Sequence, residues 1–232
     1  MKFLFENWRK YLNESIHPRI QQQIDALLAI PDLGIAIGTP PYDTAAPTQT
    51  FEYVLINDDS SYTVTDAFEH QGAWSARKDL PVGDVTIAFA DEDENGECYG
   101  GWIVAGTEVS PRGEGWGPLL YEIALEWASQ DGGGLTPDRV DVSDYAQAVW
   151  DKYEQRGDVK KKQMDIVNPE YWTPSLSRLT PEDPSDDCEQ DAAVRSSGSR
   201  SEWPKSPLSK MYYKSGAEVM RILKKEGRLF EK

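Results

Sequence analysis

The spacing of apolar residues changes period twice along the chain. Over residues 3–13, Phe3, Leu4, Trp8, Tyr11 and Leu12 recur at helical spacing between Glu6, Arg9 and Lys10, which predicts a short amphipathic helix. Ile20, Ile24, Leu27 and Leu28 then share one face of a second helix, entered through Ser15 and His17-Pro18 and ended by Ile30-Pro31. From there the period falls to two. The runs 33–38, 51–56, 62–68, 85–90 and 101–109 are β-rich and bounded by Pro, Gly, Asp and Asn, as in an antiparallel meander. The acidic stretch 91–97 carries an Asn-Gly pair, a hairpin turn signal.

Beyond Pro111 the helical period returns. Over 117–129, Leu120, Ile123, Ala124 and Trp127 form one face, with Pro118 suited to the first turn and Gly132 to Gly134 to the stop. Residues 135–142 have room for a short strand. Ser143 or Asp144 can cap a helix over 144–156 that carries Ala146, Val149, Trp150 and Tyr153. These periods predict an α/β (α+β) core over about 31–174 with a mostly antiparallel central sheet flanked by helices, and residues 1–30 as N-terminal helices. Composition then shifts. Residues 180–191 hold six acids and no base, so 175–207 reads as an acidic, Ser/Pro/Asp-rich linker. The segment 208–232 is basic, and a helix over about 215–226 would bury Val219, Ile222 and Leu223 against the core or a second subunit.

Charge and composition narrow the function classes. The 232 residues carry 40 acids against 24 bases, a formal charge of −16. Such a surface repels phosphate backbones, so bare nucleic acid is disfavoured as a partner and cationic partners are favoured. No apolar run approaches the roughly 18 to 20 residues of a membrane span. Two cysteines, Cys98 and Cys188, and two histidines, His17 and His70, are too few for a disulfide framework or a thiolate metal site. A reduced, cytoplasmic setting is expected, since Glu6, Asn7 and Arg9 interrupt what would be the apolar part of an export signal.

One hexapeptide carries chemistry: Arg112-Gly113-Glu114-Gly115-Trp116-Gly117, between a predicted strand and a predicted helix. Amides at a helix N-terminus lack intrahelical acceptors, and the dipole there favours an anion. Glycines let the chain turn and bring those amides close to a pyrophosphate. The plainer alternative is a Gly-rich strand-to-helix turn that binds nothing.

Arg-x-x-Gly-x-Gly followed by 117–124, GPLLYEIA, resembles motif A of the GNAT superfamily of N-acetyltransferases, and the chain order of helices and strands is similar to that superfamily's. The longer string 115–165, with 186–188 and 206–216, is similar to an uncharacterised GNAT-like family seen mainly in tailed bacteriophages. The resemblance covers about 98–230. It implies acetyl-CoA or CoA as cofactor, its pyrophosphate held by the amides of Gly113, Glu114, Gly115, Trp116 and Gly117, with Arg112 at the loop entrance. Thr107 to Val109 would pair with the pantetheine arm as a surrogate strand.

The same resemblance implies transfer of an acetyl group to an amine on a small molecule or protein, in an infected host's cytoplasm or in association with a virion. Such transfer needs a base for the amine and an acid for the thiolate. In the family pattern a Tyr on the helix after the fifth strand often serves; here Trp150 occupies that position. Tyr153, almost one turn on, and Glu108, beside the cofactor arm, are the candidates left. The substitution at position 150 keeps a second class open, a non-catalytic GNAT-fold accessory or virion protein that binds a phage or host partner. Among other residues, Asp138-Arg139 and Arg156-Gly157-Asp158 suggest a buried bidentate pair that locks the helix over 144–156, Lys160 to Lys162 a solvated face, and Cys188, set among acids, a poor nucleophile.

Overall fold

The computed structural model describes residues 16–40, 46–58, 61–64, 80–89, 101–111, 115–131, 133–164, 188 and 190–231. The predicted helix over 3–13 and the acidic turn at 91–97 lie outside them. Helix α1 (Pro18–Leu28) begins where Pro18 fixes the first turn and the His17 side chain accepts the Arg19 N–H, and it buries Ile20, Ile24 and Leu27. Strands β1 (Leu33–Gly38), β2 (Thr48–Ile56), β3 (Tyr62–Val64), β4 (Val82–Phe89) and β5 (Trp102–Ser110) follow. Each joins its neighbour antiparallel: β1 to β2, β2 to β3 and β4, and β4 to β5.

Helix α2 (Trp116–Gln130) follows β5 and leads into β6 (Leu135–Thr136), and then α3 (Asp144–Gln155) leads into β7 (Lys160–Gln163). Ser143 caps α3, its side chain accepting the Ala146 N–H. Strand β6 lies parallel to β5, and its other neighbour is β8 (Lys210–Tyr213). After helix α4 (Asp191–Ser197), two 3-10 turns, β8 and helix α5 (Glu218–Lys225), the chain ends in β9 (Leu229–Glu231), parallel to β1. Among the described residues the sheet has nine strands in the order β7-β8-β6-β5-β4-β2-β1-β9, with β3 also on β2. It is mixed α/β and mostly antiparallel.

Helix α2 is the hub. Periodicity predicts one apolar face, yet it buries residues all round, including the carboxylates Glu122 and Glu126. The reason is that the sheet takes one side of the helix and the C-terminal segment takes the other. Lys214, buried in the turn after β8, reaches both carboxylates at 2.9 Å. Glu126 also accepts the N–H groups of Val219 and Met220, so it caps α5, whose own N-cap residue offers no side chain. Arg156, at the end of α3, makes the bidentate pair suggested by the sequence, but with Glu122 at 2.6 and 2.8 Å; Asp158 binds its other edge, and Asp138 instead accepts the N–H groups of Val140 and Asp141.

The linker and tail differ from expectation. Residues 190–206 are folded: Ala192, Ala193, Trp203 and Ser206 are buried against the body. The basic tail is more than a helix, since β8 and β9 enter the main sheet on opposite sides. Val219, Met220 and Leu223 of α5 are buried, and each such side chain contributes roughly 1.5–3 kcal/mol. Cys188 is fully buried beside Met164 and Met211 and disulfide-bonded, which departs from the reduced setting expected from the sequence. The three lysines of β7 lie on an edge strand, with Lys160 over the Tyr213 ring.

Candidate functional site

Strands β5 and β6 pair only through Trp102 with Leu135 and Ile103 with Thr136. Strand β5 continues for seven more residues, to Ser110, beyond that pairing. Among the described residues its edge is therefore open where the two strands part, and a backbone edge without a partner is a template for an extended ligand. The ladder with β4 on the other side is irregular: Thr86 faces Gly106 and Ile87 faces Val104, so Ala105 bulges out of register. Bulges of this kind re-aim backbone groups beside a site.

A cleft of about 370 Å³ opens along this edge. Thr107 and Val109 form its floor, Gly115 to Pro118 its end at the start of α2, and Ala146 and Val149 its wall on α3. A smaller cavity of about 130 Å³ adjoins it, lined by the bulge at Val104 to Gly106, by Trp150, and by Asp138 and Asp141. Thr107, Tyr121, Ser143 and Ala146 line both. At the junction the Thr107 Oγ1 and the Tyr121 hydroxyl are hydrogen-bonded at 3.0 Å. Burial raises the Tyr121 pKa, outweighing the opposing effect of the Thr107 hydrogen bond, so the phenol keeps its proton at neutral pH.

The start of α2 is fixed from two sides. Gln23 of α1 donates its side-chain N–H to the Gly115 carbonyl. Tyr53 of β2 donates its hydroxyl to the Trp116 carbonyl at 2.8 Å, and its ring meets the Trp116 indole edge-on. Gly115, at φ +99°, is the N-cap residue and supplies no side-chain cap, and Pro118 has no N–H to satisfy. The amides of Trp116 and Gly117 thus start a helix that presents its positive end to the cleft.

The residues singled out in the sequence fall into three groups. Thr107, Val109, Gly115, Trp116 and Gly117 come together on the cleft; Arg112, Gly113 and Glu114 lie outside the described residues. Glu108 is exposed, pairs with Asp84 across the ladder, and lines neither cavity. Tyr153 is buried beneath Trp150 and Tyr212, with the Arg156 guanidinium over its ring and no bond to its hydroxyl from the described residues. Burial raises its pKa strongly. It does not reach the cleft either. Trp150, fully buried, stacks edge-on against Tyr121 and fills the space behind it.

Sequence reasoning missed Tyr121, which sits among apolar helix residues and looks like an ordinary core aromatic. It also missed Arg19, Tyr145 and Lys152, all on the cleft. On α3, Tyr145, Ala148, Val149 and Lys152 have the i, i+3, i+4, i+7 spacing of a single face, a pattern that could have been found once the helix was placed. No family model, curated protein or solved structure matches the chain. Among the described residues no helix is long and apolar enough to cross a membrane, and no group of three or more His, Cys, Asp or Glu could hold a metal ion.

Proposed function

We propose that the chain is a GNAT-like N-acyltransferase that transfers an acetyl group from acetyl-CoA to an amine. The observation that carries this reading is the parting of β5 from β6 beyond Ile103, on the strand that runs on towards the start of α2. One cleft then offers an open strand edge for an amide-bearing arm and a helix N-terminus for its phosphates. The residues fit such a ligand in kind. Thr107 and Val109 supply main-chain groups for the pantetheine amides, Val149 and Ala146 an apolar wall, and Trp116 and Gly117 the amides for the pyrophosphate, together with Arg112, Gly113 and Glu114 of the motif.

Acetyl-CoA would supply the activated thioester; the chain's own residues orient it and move protons. Tyr121, kept protonated by burial and held by Thr107, is the group placed to protonate a departing thiolate. Asp138 and Asp141 face the adjoining cavity, where they would attract a cationic amine and accept its proton. In this scheme neither Glu108 nor Tyr153 acts, since neither faces the cleft. Tyr121 lies on the helix that follows motif A, not on the later helix where the family's Tyr is found, and Trp150 supports its ring from behind.

The test is calorimetry with CoA and acetyl-CoA on the full chain, followed by a thiol-release assay against a panel of small amines and lysine peptides. Binding with amine-dependent release of CoA supports the enzyme. Binding without release against any acceptor supports the alternative, a non-catalytic phage accessory or virion protein that keeps the fold as a platform. Absence of binding at millimolar ligand removes the enzyme and leaves the platform in its place.

A further inference from the structure

Two cations on the cleft take no part in the chemistry above. Arg19 lies in the first turn of α1, one turn before Gln23, whose side-chain amide is bonded to the Gly115 carbonyl. Lys152 ends the cleft-facing stripe of α3, two turns beyond Tyr145. Both line the same cleft as Gly115 to Gly117.

Their placement is unfavourable by itself. A cation in the first turn of a helix opposes the positive end of the dipole. Partial desolvation lowers the Lys152 pKa, and the Arg19 charge lowers it further, so the two side chains lie within electrostatic reach of each other. The chain has 40 acids to 24 bases, yet neither cation forms an ion pair with a described residue. Two like charges from separate helices, converging without one beside a helix N-terminus, make a site for a multiply charged anion.

We propose that Arg19 and Lys152 clasp a phosphate group of the bound acyl carrier, so that the cleft selects a nucleotide-borne carrier over bare pantetheine. The inference rests on the acyl-donor reading and adds the residues that set its specificity. The guanidinium fork can bind two phosphate oxygens while the ammonium binds a third, and the ligand's charge relieves the repulsion between them.

Calorimetry on the wild type, Arg19→Gln, Lys152→Gln and the double variant, each titrated with CoA, pantetheine and inorganic pyrophosphate, tests this. Both side chains are exposed, so the variants should keep the wild-type melting temperature, which is checked first. CoA is expected to bind the wild type at least about tenfold more tightly than pantetheine, and each substitution to weaken CoA and pyrophosphate about tenfold while leaving pantetheine unchanged. Variants that bind CoA as the wild type does would overturn the clasp and leave the acyl-donor reading standing. Pyrophosphate binding that depends on Arg19 and Lys152, without CoA binding, would keep the clasp and remove the acyl donor. If neither anion binds, both fall.

Discussion

The Tyr121 hydroxyl and the Thr107 Oγ1, 3.0 Å apart, tie the middle of α2 to the open edge of β5 at the point where the two cavities meet. Removing the hydroxyl separates chemistry from binding. Tyr121→Phe keeps the ring against Trp150 and should change the unfolding free energy by only about 1 kcal/mol. With an acceptor in hand, acyl transfer should fall by roughly 10²- to 10⁴-fold while calorimetric CoA binding stays within a few-fold. A wild-type rate in this variant would take Tyr121 out of the mechanism.

The phosphate end is probed most cleanly at Gly117. A Cβ there would meet only Val109 Cγ2, at 4.0 Å, whereas at Gly115 it would meet Gln23 Nε2 at 3.0 Å on a backbone with φ +99°. Gly117→Asp should therefore leave the fold intact and abolish CoA binding by setting a carboxylate against the phosphates. Gly115→Asp would confound that repulsion with backbone strain. Unchanged CoA affinity in folded Gly117→Asp would place the ligand elsewhere.

Lys214 holds Glu122 and Glu126 together in the interior. Lys214→Met leaves both carboxylates buried without their shared cation and should cost about 3–5 kcal/mol, read as a lower melting temperature. The pH dependence has a definite sign. Burial alone would lower the Lys214 pKa, but the two carboxylates raise it from 10.5 to about 12. Its contribution is thus complete below 10.5 and lost as pH rises towards about 12. Burial also opposes ionisation of Glu122, but the Arg156 hydrogen bonds and the Lys214 charge outweigh it and lower the pKa, so that contribution is lost in acid. Burial raises Glu126 despite Lys214, so its sign is opposite: acid relieves its cost. The stability gap between wild type and Lys214→Met should narrow across the alkaline window; a constant gap would contradict the coupling.

Truncation at 207 has a sharper expected effect than loss of a docked helix. It removes β8, β9, Lys214 and the segment whose amides Glu126 caps. It also strips the apolar cover from α2. The truncated chain should be insoluble or lack a cooperative melt. A truncation that melts like the full chain would show the tail to be dispensable.

How much of this was legible in the sequence depended on range. Strand β1 and the capped helix α3 follow from local period and from Ser143, and their bounds hold nearly to the residue. The glycine-rich stretch 112–117 could be placed between a strand and a helix because glycines interrupt both periods there. The long-range partners could not be read. Nothing adjacent to Lys214 signals that it meets Glu122 and Glu126, about 90 residues earlier, and acidic, Ser-rich composition concealed that residues 190–206 bury Trp203 and Ala193. Tyr121 was hidden for a related reason: its hydroxyl has meaning only once Thr107 lies opposite.

The most direct test of the central claim is a crystal structure of the full chain grown with CoA. The expected result is density for the pantetheine arm along Thr107 to Val109, hydrogen-bonded to the β5 main chain, with the pyrophosphate at Trp116 and Gly117 and the thiol near Tyr121. A well-ordered cleft empty at saturating CoA, or CoA bound away from β5 and α2, would contradict it.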